Sequence, residues 1–224
     1  MAHAFDPSSR SKLTRRDLPR FDGPSLFHAV GRALCEAECL PRKELFEAWE
    51  VARRIRRRFR GGRVVDLACG HGLLAHLLLV LDDTSPTAVA ADVRIPESAA
   101  KVRAAMEHAW PRLAGRVDLQ ARPMADVEVH SGDLVVSVHA CGALTDDVLQ
   151  RALSVRTRVA VLPCCQDART CDQGSFGGWL DSPLAIDVER VTRLRLQGYT
   201  VRTEQIPDTI TEKNRLLLAE PPAE

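Results

Sequence analysis

The sequence predicts a doubly wound α/β domain with a seven-stranded sheet, and three observations support this fold class. A strand, a glycine turn and a helix are expected in succession over residues 63–79, RVVDLACGHGLLAHLLL. Short apolar runs typical of buried strands then alternate with helical segments through Thr200. Two further strands follow each other directly at residues 199–206 and 215–219. Alternation of this kind builds a parallel sheet with helices on both faces.

Composition and cysteine use favour a globular domain in a reducing compartment. The 224 residues suit one domain with a modest extension. The seven cysteines are an odd number without repeating spacing, so we expect a cytoplasmic setting rather than a disulfide framework. No apolar run is long enough to cross a membrane, and the first residues lack a signal-peptide core. We therefore expect no membrane partner and, by default, a monomer.

The N-terminal part of the chain differs from the rest in charge and in pattern. Residues 1–20 are polar, basic and without periodicity, so we predict a flexible tail. Residues 21–62 predict a helical extension of two helices, the first capped by Asp22 and the second beginning at Pro41. Residues 63–224 form the predicted α/β domain.

The second predicted helix has an apolar face and a strongly basic outer face. Arginines at this density predict contact with phosphates, and the alternative is a solvated face paired with nearby acids. Aromatic side chains that could stack on bases are sparse, so we expect contacts with the backbone and shape of a structured RNA. The arginines of this predicted RNA-docking face are Arg53, Arg54, Arg56, Arg57, Arg58 and Arg60.

Apolar runs and turn signals place the remaining elements of the domain. The second to fifth strands are predicted at residues 87–93, 116–120, 134–138 and 159–162. Helices are predicted at residues 97–110, 147–153 and 185–196. The carboxyl ends of these strands define the edge of the sheet at which a ligand is expected.

Two cofactor interpretations compete for the glycine turn after the first strand. Gly70-x-Gly72-x-x-Ala75 fits the dinucleotide-binding fingerprint, and Asp92 lies about twenty residues on, where a ribose-binding acid is expected. Glycines let the backbone approach a ligand, and the N–H groups at the start of the helix face it. A tight turn without any ligand is the third possibility.

The second interpretation begins one turn earlier in the sequence. Asp66-x-Ala68-x-Gly70-x-Gly72 resembles the first motif of class I S-adenosylmethionine (SAM) methyltransferases, with Ala68 in place of the usual first glycine. The resemblance implies that Asp66 lies near the amino group of the methionine part and that Asp92 binds both ribose hydroxyls. It also implies a Rossmann-like sheet whose last strand inserts antiparallel. A dehydrogenase would need a separate substrate domain for which no chain remains, so we favour SAM.

The resemblance extends the set of candidate cofactor-binding residues. Class I methyltransferases contact the adenine through the loop after the third strand, which here follows residues 116–120. The candidate cofactor residues are Asp66, Ala68, Cys69, Gly70, Gly72, Leu73, Asp92, Val93, Met124, Ala125, Asp126 and His139.

Two further segments follow the fourth and fifth predicted strands. His139-Ala-Cys141-Gly-Ala-Leu-Thr-Asp146 and the pair Cys164-Cys165 resemble elements of the tRNA 2′-O-methyltransferases, a branch of class I enzymes. The resemblance covers roughly residues 61–166, and the N-terminal zinc module of those enzymes is not seen here. It implies an RNA acceptor, tRNA or rRNA. The alternatives are a protein or small-molecule acceptor, or a non-catalytic SAM- or RNA-binding module.

The candidate catalytic residues are His139, Cys141 and Cys164. His139 is the best placed general base, because an imidazole titrates near neutral pH; the alternative is a structural hydrogen bond. Cys164 could attack a pyrimidine ring, as in RNA cytosine-5 methyltransferases, if its thiol pKa were lowered. Zinc bound by His139 and the three cysteines is disfavoured, because side chains adjacent at a strand end diverge. We expect small buried thiols that pack around the cofactor, and no metal.

Overall fold

The computed structural model describes residues 5–222, and its centre is a single seven-stranded sheet. The strands are β1 (Val64–Leu67), β2 (Ala88–Asp92), β3 (Val117–Ala121), β4 (Leu134–Val138), β5 (Arg158–Leu162), β6 (Thr200–Gln205) and β7 (Arg215–Glu220). Their order across the sheet is β3-β2-β1-β4-β5-β7-β6. The first five strands are parallel, and β7 pairs antiparallel with β5 and β6. The predicted seven-stranded doubly wound sheet is confirmed.

Residues 5–222 contain six α-helices, which pack in layers on the two faces of the sheet. They are α1 (Leu26–Ala37), α2 (Arg42–Arg58), α3 (Leu73–Leu81), α4 (Ala99–Ala109), α5 (Leu144–Ser154) and α6 (Ser182–Leu196). Neighbouring residues of a strand point to opposite faces, so Val64 packs with the cluster that contains α1 to α4 and Val65 with the cluster that contains α5. Both faces of the strands are therefore buried, as the continuous apolar runs predict. None of the helices among residues 5–222 is long and apolar enough to cross a lipid bilayer.

The segment before α1 is packed against the helices, so the prediction of a flexible tail is wrong for residues 5–20. Leu13 is fully buried, and its N–H donates a hydrogen bond to the Leu40 carbonyl (2.9 Å). A 3₁₀ helix at Arg15–Phe21 follows. Isolated apolar side chains anchor this polar stretch without producing a periodic pattern. The first four residues of the predicted tail lie outside the described residues.

The two N-terminal helices begin close to their predicted positions. The α1 helix is capped by Ser25, whose hydroxyl accepts from the N–H of His28 (3.2 Å), and not by Asp22 as predicted. Pro41 precedes the first residue of α2, as predicted. Side chains of both helices share one apolar cluster with α3 and the sheet. The extension therefore forms an outer layer on one face of the domain.

The predicted RNA-docking face does not include Arg56. Its side chain is 2% exposed and donates to the Leu78 carbonyl (3.0 Å) and the Ser85 hydroxyl (2.8 Å). An ion pair with Asp82 (3.1 Å) compensates its charge. Burial lowers the pKa of Arg56 to about 10, although Asp82 opposes that effect. Arg56 is a structural residue that joins α2 to the loop after α3.

Most of the other arginines on α2 are paired with acids. Arg53 and Arg54 both contact the Glu50 carboxylate, and Arg58 pairs with Glu220 of β7. Arg57 is exposed and, among the residues that the structure describes, forms no ion pair. Intramolecular pairing thus reduces the charge that this face could offer to phosphates. RNA docking at this face stays a prediction.

Candidate functional site

A cavity of about 690 Å³ lies at the carboxyl ends of β1, β4 and β5. This is the edge at which doubly wound sheets bind ligands, and the volume is in the range of cofactor pockets. Its walls come from the turn between β1 and α3, the first turns of α2 and the segments after β4 and β5. The residues that line it include Arg10, Lys43, Glu44, Glu47, Asp66, Ala68, Cys69, Gly70, His71, Leu73, His139, Cys164, Cys165 and Lys213. A second cavity of about 630 Å³, beside α6, β6 and β7, contains no predicted site residue.

The turn between β1 and α3 has a left-handed backbone conformation at every second residue: Ala68, Gly70 and Gly72. Gly70 and Gly72 have φ of 54° and 71°. A Cβ on Gly72 would lie 2.6 Å from the Leu119 side chain, whereas one on Gly70 would meet no atom within 4 Å. Ala68 has φ of 57°, a conformation that costs an L-residue roughly 1–2 kcal/mol. Ala68 therefore adopts a backbone conformation that suits glycine better than alanine. Backbone strain of this kind is typical of ligand sites.

Asp92 ends β2 and ties the glycine turn to the sheet. Its carboxylate accepts hydrogen bonds from the N–H groups of Gly70 (3.1 Å) and Arg94 (3.2 Å). The side chain is half-buried beside the cavity rather than part of its wall. An acid at this position can accept from ligand hydroxyls while it fixes the turn that faces them.

Asp66 is a buried carboxyl in the wall of the cavity. It is 2% exposed, and within residues 5–222 it forms no ion pair. Burial, with a smaller contribution from Asp92, raises the pKa of Asp66 to about 8. The carboxyl therefore holds its proton at neutral pH until a cation lies next to it. This environment suits a ligand with an ammonium group.

His139 follows β4 and interacts with a carboxylate from the N-terminal extension. Its Nε2 atom lies 2.9 Å from the Glu47 carboxylate, and φ of 67° places its backbone in the left-handed region. Glu47 is 3% exposed and also pairs with Lys43 (3.1 Å). Burial favours the neutral acid, but the hydrogen bonds from His139 and Lys43 lower the pKa of Glu47 below its usual range. The result is a carboxylate–histidine pair at the mouth of the cavity.

The three cysteines after β4 and β5 lie together, at the edge of the sheet where both segments are predicted to meet, although a cluster suited to zinc was disfavoured. The Sγ atoms of Cys141 and Cys164 are 3.3 Å apart, and those of Cys164 and Cys165 are 3.5 Å apart. The expectation of buried, packing thiols is wrong, since Cys141 and Cys165 are exposed. The adjacent side chains of Cys164 and Cys165 do not diverge as predicted, because their Sγ atoms are only 3.5 Å apart. Burial and the neighbouring thiols raise the pKa of Cys164, which disfavours its predicted role as a nucleophile.

The remaining predicted cofactor residues lie at the same edge of the sheet but outside the cavity wall. Val93 is 74% exposed. The predicted adenine loop forms a short 3₁₀ segment, Met124–Asp126, after β3. Because β3 is two strands from β1, these residues face the side of the site beyond Asp92. The structure brings Asp66, Ala68, Cys69, Gly70, Leu73 and His139 together around the cavity.

Sequence reasoning missed the contributions of the N-terminal extension to the site. Glu47 and Lys43 sit four residues apart on α2, a spacing that is equally typical of an exposed ion pair. His71 contacts the Ser98 hydroxyl (2.9 Å) at the cavity wall. Arg10 and Lys213 also line the cavity, although they lie near opposite ends of the sequence. Only the folded structure brings these groups to one place.

Comparisons with known proteins agree on the fold. The sequence profile of a family described as "Methyltransferase domain" matches residues 44–171, more than half of the chain. No curated protein sequence matches the chain. A putative rRNA-methylase from Clostridium thermocellum superimposes with a TM-score of 0.54 at 15% identity, covering 80% of this chain and 97% of that one.

Two O-methyltransferase structures are also similar. An O-methyltransferase family protein from Burkholderia thailandensis has a TM-score of 0.50 at 15% identity and covers 92% of this chain. The mitomycin 7-O-methyltransferase MmcR has a TM-score of 0.52 at 16% identity and covers 93% of this chain. This chain spans 63% and 61% of their lengths, less than two thirds. Identities this low show a shared fold only.

Proposed function

This chain belongs to the methyltransferase domain family, and from that premise we propose that it transfers a methyl group from SAM to an RNA acceptor. The class I methyltransferase fold implies SAM as the methyl donor. One observation carries the proposal: the buried carboxyl of Asp66 lies in the wall of the cavity, and Gly70, in the same wall, donates its N–H to Asp92.

The residues around this cavity fit SAM. Asp66 would hold the ammonium group of the methionine part, and Asp92 the ribose hydroxyls. The open space beside Gly70 lets the ligand approach the backbone. When bound, SAM would supply an electrophilic methyl carbon: the acceptor atom bonds to this carbon as its bond to the sulfonium sulfur breaks, and the neutral thioether is the leaving group. The chain's own residues then have to orient the acceptor and remove its proton.

His139 is the residue proposed to take the proton of the acceptor. Its Nε2 atom is held by Glu47, so Nδ1 is the ring nitrogen left to act as a base. The buried Glu47 carboxylate would fix the ring and stabilise the imidazolium that forms. In this proposal Asp66 and Asp92 bind the methyl donor, and His139 removes the proton of the acceptor.

Basic side chains around the cavity support a phosphate-bearing acceptor. Arg10, Lys43 and Lys213 all line the cavity, and Arg10 and Lys213 are exposed. On the same wall Glu47 pairs with His139 and with Lys43, and Glu44 lies 3.7 Å from His71, so Lys43 is already paired with an acid. We propose that RNA phosphates contact the exposed rim of the cavity, which consists of Arg10 and Lys213, rather than the arginines of α2.

Transfer of a labelled methyl group from SAM into a fractionated cell extract tests the acceptor. The label is expected in the RNA fraction. Treatment of the extract with ribonuclease before the reaction should abolish this labelling. Label confined to protein or to small molecules would contradict the RNA acceptor but keep the methyltransferase. A wild-type protein that binds SAM and labels no fraction would instead indicate a non-catalytic module.

Salt dependence of RNA binding should separate the cavity rim from the α2 face. A variant with Arg10→Gln and Lys213→Gln should flatten the slope of log affinity against log salt by about two units, since each phosphate contact contributes about 0.9 on duplex. A matched variant with Arg57→Gln and Arg60→Gln should leave the slope unchanged. Filter binding of structured RNA at several salt concentrations measures both. A slope that changes only in the second variant would assign docking to α2.

The affinity for SAM should depend on pH through Asp66. In the free protein the carboxyl titrates near pH 8, so binding of the ammonium group at lower pH requires loss of a proton. Affinity should therefore rise by up to about tenfold from pH 6 to pH 7. Calorimetry in two buffers of different ionisation enthalpy should show nearly one proton released per SAM bound, and Asp66→Asn should abolish that release. Binding without proton release would contradict a protonated Asp66.

A further inference from the structure

The cluster of Cys141, Cys164 and Cys165, here named the thiol cluster, has no role in the proposed reaction. All three Sγ atoms lie within 4.8 Å of one another. The arrangement follows from the topology, because Cys141 follows β4, the cysteine pair follows β5, and these strands are parallel neighbours. Their carboxyl ends therefore meet at the edge of the sheet that holds the cavity.

The loop that carries Cys141 is fixed by several contacts. The Thr145 hydroxyl donates to the Ala140 carbonyl (2.5 Å), and the Arg190 guanidinium donates to the Gly142 carbonyl (3.0 Å). Gly142 has φ of 56°, which turns the chain back beside the Cys165 carbonyl. A buried side chain, Arg190, thus holds the loop against α6. The position of Cys141 relative to the cysteine pair is set by the fold.

The spacing of the three sulfur atoms is close to that of thiolates on one tetrahedral ion. With Zn–S bonds of about 2.3 Å, two thiolates on zinc lie about 3.8 Å apart. The two shorter separations in the thiol cluster, 3.3 and 3.5 Å, differ from this value by only a few tenths of an ångström. Side-chain rotations of that size need no movement of the backbone.

We propose that the thiol cluster binds a single thiophilic divalent cation, with Zn²⁺ as the reference ion, and that a fourth coordination position faces the cavity. Cys164 and Cys165 line the cavity, and Cys141 and Cys165 are exposed, so an ion can reach all three. Among residues 5–222 the cluster includes no fourth His, Cys, Asp or Glu, and the nearby His139 ring is held by Glu47. Three protein ligands with one open position are typical of catalytic zinc.

The open position gives the site a chemical use. A cation lowers the pKa of a hydroxyl or thiol bound to it, so an acceptor atom held there would lose its proton more readily. That use rests on the proposed methyl transfer. Metal binding itself does not, and it can be measured without SAM or any acceptor.

Titration of the reduced 224-residue chain with Co²⁺ and Zn²⁺ tests the site. The wild type should bind one Co²⁺ with thiolate charge-transfer absorption and the visible bands of tetrahedral cobalt, and one Zn²⁺ should displace it. Cys141→Ser, Cys164→Ser and Cys165→Ser should each weaken Zn²⁺ binding by more than the roughly 10–100-fold loss caused by outer contacts of a metal site. Cys39→Ser is the matched control, since its hydroxyl can still donate to the Ser98 carbonyl.

Two results would overturn the metal site. One is a reduced wild type that binds no ion, and the other is binding that survives all three cysteine substitutions. A small thiol added to the Co²⁺ form should shift its spectrum by taking the open position. An unchanged spectrum in the presence of excess thiol would contradict that position while leaving the three-cysteine site intact. A wild type that binds the metal ion but transfers no methyl group would contradict the proposed function and leave the metal site intact.

Discussion

Replacement of His139 by Gln is expected to lower turnover by about 100-fold or more while the affinity for SAM stays within a few-fold of wild type. The amide can keep a hydrogen bond with Glu47 but cannot take a proton from the acceptor. Single-turnover methyl transfer to the acceptor found by labelling measures the chemical step. Unchanged turnover in His139→Gln would make the histidine structural.

Glu47→Gln is the matched test of the carboxylate–histidine pair. It removes the charge that stabilises an imidazolium but keeps the shape of the side chain, so turnover should fall and its pH profile should shift. In the double variant the two losses should not add, because both residues act on one proton. Losses that multiply in the double variant would show that Glu47 acts by another route. A Glu47→Gln protein with wild-type turnover and pH profile would limit Glu47 to packing.

Replacement of Arg190 by Met is expected to destabilise the fold by about 3–5 kcal/mol. The guanidinium is 2% exposed and pairs with Asp146 (2.8 Å) and Asp187 (3.2 Å). Without it, the Asp146 and Asp187 carboxylates would lose their buried partner. Urea unfolding followed by circular dichroism gives the free energy of unfolding. The change should be visible without any ligand, because these contacts are all within the chain.

Arg193 provides the matched control for Arg190. It also lies on α6 and approaches Asp146, but at 3.9 Å and with 44% of its side chain exposed. Exposed ion pairs contribute about 0–1 kcal/mol. Arg193→Met should therefore lower the free energy of unfolding by much less than Arg190→Met does. Equal effects of the two substitutions would contradict the structural role assigned to Arg190.

The elements that sequence predicts well are those with local signals. The strand, turn and helix from Val64 to Leu81 follow from an apolar run, two glycines and a second apolar run. The fourth strand is predicted at its observed limits, since a buried parallel strand is continuously apolar. The antiparallel insertion of β7 came from the resemblance to class I methyltransferases and is confirmed.

The features that sequence reasoning missed depend on contacts between distant residues. Arg56 follows the same sequence pattern as the other arginines of α2, and its burial is explained by distant partners that include the Leu78 carbonyl, Asp82 and the Ser85 hydroxyl. Glu47 contacts His139, which is 92 residues away. The order of the strands places the two loops of the thiol cluster at one edge of the sheet, but the short distances between the sulfur atoms depend on the folded loops. Leu13 anchors a polar segment through one buried side chain.

Calorimetric titration with SAM, its demethylated product and NAD tests the central claim that this cavity is a SAM site. The wild type should bind SAM and the demethylated product but not NAD. Asp92→Ala should weaken SAM binding by roughly ten- to a hundredfold, because hydrogen bonds to a charged group are worth about 1.5–3 kcal/mol. Asp118→Ala, an exposed change on β3, should have no effect. Binding of NAD, or equal SAM affinity in wild type and a folded Asp92→Ala protein, would contradict the account.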